Sequence, residues 1–232
     1  MQNIIPQKIT QFKERVEKSA FISLNSFKLK LLENDKEGQL DIDYSYDNLY
    51  NEFGYLLEES FKEIINIYKF VFYGRLEVDS FYSEIEINLE KISSGLSLIN
   101  YDDGLWFEGQ SEEEKALWKT FRSFDIRPEI GDGKMAVFSI QEGVSPPNEP
   151  AIYYIDRAKA FKTNLTFVQY YETVLDMMGI ADWQLLFTDV SWNDPQVEDY
   201  YPELKAAIEA LAKAFPDKDY KKYFDLLEAR WV

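Results

Sequence analysis

Neither cysteine nor histidine occurs anywhere in the 232 residues of this chain. No disulfide and no Cys/His zinc site can staple such a fold, so a hydrophobic core has to hold it. The chain supplies the material: 46% of it is hydrophobic, with 17 Phe, 16 Tyr and 5 Trp. That is far from the composition of acidic disorder, and the aromatic rings bring large areas to bury. The same absences limit the chemistry. Ser-His-Asp and Cys-His nucleophile sets, thiolate chemistry and histidine proton transfer are all excluded.

The formal charge is −17, and it is spread evenly: residues 1–110 hold 20 acids against 11 bases, and residues 111–232 hold 22 against 14. An evenly negative surface repels nucleic acid and anionic membrane and steers the chain toward basic partners. It also serves solubility without any partner. Residues 1–11 carry no apolar core and no small-residue cleavage site, so no signal peptide is expected. No stretch approaches the roughly 20 apolar residues that a membrane helix needs. The cytoplasm is the expected location.

Hydrophobic spacing divides the chain. Pro6 opens a short helix with Ile9, Phe12 and Val16 on one face. Residues 27–33 and 39–46 alternate apolar with polar around Asn34, Asp35 and Gly38, the pattern of a β-hairpin. From Asp47 to Tyr73 the spacing turns helical, with Gly74 as the stop. Residues 76–89 and 96–107 return to period two. Ser111 with Glu114 is a capping box for a helix reaching about Phe121. Strands are predicted over 134–140 and 151–155, then an amphipathic helix over 165–178 capped by Thr163 or Asn164 and closed by Gly179. Residues 180–199 read as loop with a short apolar piece. A helix pair follows over 202–215 and 217–230, broken at Phe215-Pro216-Asp217. The expected class is α+β: an antiparallel sheet flanked by helices, with a C-terminal helical extension. The expected division is 1–179 and 180–232, or one single domain.

Several motifs fail on inspection. Asp41, Asp43, Ser45, Asp47 and Glu52 are spaced like a calcium loop, but Tyr46 stands where the turn needs glycine. Gly131-Asp132-Gly133-Lys134 lacks both the upstream glycine and the downstream Ser/Thr of a phosphate loop, and reads as a turn into a strand. The prolines of 146–150 have PxxP spacing, yet between two strands they serve to block edge pairing.

Two acidic-aromatic stretches are the candidate partner-binding sites. Tyr101 to Glu108 places Asp102, Asp103 and Glu108 beside Trp106 and Phe107. This is the make-up of an aromatic anchor rimmed by charge, and also of a carboxylate pair facing a sugar. An Asp-Asp-Gly turn followed by a core Trp explains the same residues. Glu198 and Asp199, followed by Tyr200 and Tyr201, form the second and weaker patch. Trp183, Trp192 and Trp231 are read as packing for the terminal helix pair.

Ile130-Gly131-Asp132-Gly133, Met135 to Ile140, Pro150 to Asp156 and Thr163 to Met178 together resemble the second half of the SMI1/KNR4 (SUKH) family. Thr166-Phe167 with Tyr170-Tyr171 occupies the place of that family's Ser/Thr-Phe-x-x-[YF]-Leu helix entry. The resemblance implies an immunity protein that binds and blocks a cognate toxin of bacterial competition, or a scaffold of fungal cell-wall signalling. It supplies no catalytic residues. The expected function is therefore non-enzymatic: an acidic protein that occludes the basic surface of a toxin domain, with no cofactor, metal, nucleic acid or membrane. The alternative is a carbohydrate-active enzyme or lectin built on carboxylates and aromatics.

Overall fold

The computed structural model describes residues 4–31, 68–88, 97–98, 110–127, 130–139, 150–157 and 159–231. The fold is α+β, with two antiparallel sheets and flanking helices. In chain order the elements are α1 (Ile4–Lys18), β1 (Ile22–Leu31), β2 (Tyr68–Val78), β3 (Phe81–Asn88), β4 (Ser97–Leu98), α2 (Glu112–Trp118), β5 (Phe121–Ile126), β6 (Met135–Ser139), β7 (Ala151–Asp156), β8 (Lys159–Lys162), α3 (Phe167–Asp176), a 3₁₀ turn (Trp183–Phe187), α4 (Tyr200–Ala214) and α5 (Lys221–Glu228).

The chain forms two compact units, each discontinuous in sequence. The first gathers residues 1–27, 72–87 and 168–232, and the second 28–71 and 88–167. Residues 180–232, expected as an extension, fall in the first unit with α1 and the β2–β3 hairpin.

In the first unit, α1 buries Ile9, Phe12 and Val16, the stripe its spacing predicts. Phe12 meets Phe72 of β2 edge-on at 5.0 Å. Strand order is β1-β2-β3. The helix expected up to Tyr73 is corrected here, because residues 68–73 belong to β2 and Gly74 lies inside the strand. Phe72, Leu76 and Val78 are buried while Arg75 and Glu77 are exposed, a period of two that the aromatic run 70–73 obscures. Gly74 is needed for close approach: a Cβ there would lie 2.8 Å from the Ser23 carbonyl oxygen of β1. The single strand expected over 76–89 is likewise two strands, turned at Asp79-Ser80. β1 begins at Ile22, and the expected hairpin partner over 39–46 lies outside the described residues.

α3, α4, α5 and the 3₁₀ turn complete this unit. α3 turns Tyr170, Tyr171 and Val174 inward, as its spacing predicts, although it starts at Phe167, beyond the expected caps. Leu204, Ile208 and Leu211 of α4 and Tyr223 and Leu227 of α5 are buried. Trp183 and Trp192 are buried too, whereas Trp231, expected to pack on the terminal helix pair, meets Tyr201 of α4 while staying 48% exposed.

In the second unit, β4 to β8 form a five-stranded meander in sequence order. One face carries Val137 and Ile155, covered by Trp118 of α2 and Phe121. On the other, Phe138 stacks on Phe124 at 4.1 Å, with Phe167 at 5.4 Å from Phe138. Burial on both faces explains the nearly unbroken apolar runs of β6 and β7. The Ser111 capping box forms as predicted: Ser111 Oγ accepts from the Glu114 N–H, and the Glu114 carboxylate accepts from the Ser111 N–H at 2.7 Å. The turn before β6 is held by Asp132, which accepts from Arg127 and from the Lys134 N–H. β5 and β8 were not predicted. In β5 a bulge between Ser123 and Asp125 breaks the alternation and sets Phe121 and Phe124 three apart.

Candidate functional site

Of the residues expected to bind a partner, Asp102, Asp103, Trp106 and Glu108 lie outside the described residues. Glu198 and Asp199 are described and exposed at the entry to α4. Asp199 occupies the N-cap position, yet its side chain makes no capping hydrogen bond. Its charge favours the positive end of the helix dipole while the carboxylate stays open to solvent. Two residues on, Tyr201 meets Trp231 edge-on at 4.7 Å and the buried Trp192 at 6.0 Å. The Tyr201 hydroxyl donates to Glu228 at 2.8 Å, and Lys205 lies over its ring at 5.7 Å. Bonds to Glu228 and Tyr201 raise the pKa of Lys205, the Tyr201 contact contributing most. The half-exposed Trp231 thus stands on a fixed aromatic support, and the acids of the α4 entry are carried by the same helix as that support.

A second feature was not foreseen. On α1, Lys8, Gln11, Arg15 and Lys18 are spaced by three, four and three residues, which sets them along one helix face. With Leu175 and Asp176 of α3 and Asp217 and Lys218 before α5 they line a cleft of about 580 Å³. Most of its charges are paired. Lys8 meets Glu172 at 2.7 Å and Lys18 meets Glu14 at 3.2 Å. Asp176 receives Lys218, Lys222 at 3.2 Å and the Tyr223 hydroxyl at 3.3 Å. Burial pushes the Asp176 carboxyl up, but the two lysines outweigh it and hold its pKa below the usual value. Burial pushes the Lys218 ammonium down; Asp176 opposes this, and the neighbouring Arg15 charge adds to it. Arg15 stands apart, because its Nη1 is buried and has no hydrogen-bond partner among the described residues.

The cleft was invisible to composition because the chain average is so negative. The readable signal was local: Lys8, Lys13, Arg15 and Lys18 give α1 an excess of bases, and its polar stripe flanks the apolar one. Among the described residues no group of acidic side chains could hold a metal ion, and no helix is long and apolar enough to cross a membrane.

No family model matches this chain, and no curated protein and no solved structure matches it. The resemblance of residues 130–178 to the SMI1/KNR4 family rests on the quoted residues alone.

Proposed function

We propose that this chain is a non-enzymatic binding protein that engages a basic partner through its acidic surface, in the manner of an immunity protein occluding a toxin domain. The observation that carries this reading is the patch at the entry to α4: Trp231 is 48% exposed and braced by Tyr201, while Glu198 and Asp199 stand exposed on the same helix entry. Interfaces draw much of their affinity from aromatic anchors rimmed by polar groups. The charge of −17 adds electrostatic steering toward a cationic surface. Without histidine or cysteine the common nucleophile and proton-shuttle sets are missing from the sequence itself.

The test is capture of partners on the immobilised full chain, washed at low and then high salt, beside W231A and the charge reversal of Glu198 and Asp199 to Lys. The expected result is one basic protein, released by salt and lost in both variants. Equal capture by all three proteins would overturn the assignment of this patch.

A further inference from the structure

The geometry points to the α1 cleft as a binding site for a small phosphate monoester, with Arg15 as its anchor. Within a chain of charge −17, this cleft gathers Lys8, Arg15, Lys18 and Lys218 around one volume of about 580 Å³. That volume is in the range of small-molecule sites and exceeds what a bare phosphate fills. The ion pairs already present decide which cation is left to bind. Lys8, Lys18 and Lys218 each hold a carboxylate of their own. Arg15 lines the same cleft and, among the described residues, holds no carboxylate.

The planar fork of an arginine matches phosphate oxygens two at a time, which a lysine cannot do. Around the cleft four cationic side chains, Lys8, Arg15, Lys18 and Lys218, stand against three acids, Glu14, Asp176 and Asp217. The cleft's own acids oppose this only weakly: Asp176 is neutralised by Lys218 and Lys222, Glu14 by Lys18, and Asp217 is exposed to solvent. The distant negative charge of the chain is screened beyond about 8 Å at physiological salt, so it does not forbid an anion here.

The experiment titrates ¹⁵N-labelled full chain with inorganic phosphate, and separately with phenyl phosphate, at ionic strength fixed with chloride. Saturable shifts at the amides of Arg15, Asp176 and Lys218 are expected, tighter for phenyl phosphate. R15Q should weaken binding at least about tenfold, the loss expected for a hydrogen bond to a charged group. R15K, which keeps the charge but not the fork, should fall between. K13Q, on the same helix but outside the cleft, should bind as the wild type does. Among the described residues Arg15 has no ion pair to lose, so R15Q is expected to fold, and K8Q offers an independent weakening of the same site. Equal affinity for the two probes would overturn the monoester assignment. No saturable shift with either, or unchanged binding in both R15Q and K8Q, would overturn the proposal.

Discussion

The carbonyl of Gly179 accepts a hydrogen bond from the Glu86 N–H at 3.1 Å, and a Cβ on Gly179 would lie 2.4 Å from the Glu86 carbonyl oxygen. The residue that closes α3 is therefore also the one that lies against β3. Its φ of 69° is left-handed, directly after Met178 at 56°. Replacing Gly179 with Ala adds the left-handed penalty of about 1–2 kcal/mol and a clash with backbone that cannot rotate away. Gly179→Ala is expected to destabilise the protein by at least about 2 kcal/mol in chemical denaturation. An unchanged midpoint would mean that this contact is absent in solution.

Gly74 makes the same kind of demand within β2. A side chain there meets the Ser23 carbonyl oxygen of β1 at 2.8 Å, and again the obstacle is backbone. Gly74→Val has the better strand propensity, yet it should destabilise by about 1–3 kcal/mol through overpacking. If G74V instead raised stability, propensity would outweigh the close approach and the reading of this glycine would fail.

How far such features are legible from sequence depends on how local they are. The Ser111–Glu114 box, the stripe Ile9, Phe12 and Val16, and the strands β6 and β7 follow from neighbours within a few residues, and each forms as read. Gly74 did not, because a glycine after an apolar run looks the same whether it ends a helix or admits a crossing strand. β5 was missed because its bulge places Phe121 and Phe124 three apart, a helical spacing. The α1 cleft was missed for another reason. Lys8 and Lys218 come from opposite ends of the chain, and only the tertiary fold lines one cavity with both. Of the acidic-aromatic patches, Glu198 and Asp199 were legible as exposed charge, whereas the bracing of Trp231 by Tyr201 depends on α5 returning to α4.

Trp192 and Trp231 should separate cleanly by mutation. The indole Nε1–H of Trp192 donates to the Leu227 carbonyl at 2.7 Å, in the last turn of α5, and its backbone N–H donates to the Arg230 carbonyl at 3.1 Å. It satisfies acceptors that the end of a helix otherwise leaves open. Trp192→Phe removes the side-chain bond, leaves a buried carbonyl without it, and opens a small void. A loss of about 2–3 kcal/mol is expected. Trp231→Phe, at a half-exposed position, should shift stability by less than about 0.5 kcal/mol. Similar losses in the two variants, measured side by side by urea denaturation, would refute the distinction.

Asp176 sets a pH dependence whose sign follows from its surroundings. Burial alone would raise its carboxyl, but Lys218 and Lys222 hold the folded value below the usual one. The unfolded chain then binds the proton more readily than the folded one. The stability Asp176 contributes is present in full above the unfolded value of about 4, and it is lost as pH falls through the folded value. It also sits at the last residue of α3, where the helix dipole disfavours a carboxylate, so the lysines have that cost to offset as well. Asp176→Asn should cost about 1–2 kcal/mol at pH 7, because two lysines lose their partner in a half-buried site. The gap between wild type and D176N should persist at pH 5 and be narrower at pH 3. Denaturation curves at these three values decide it: a gap that stays constant down to pH 3 would show that the loss comes from packing and not from charge.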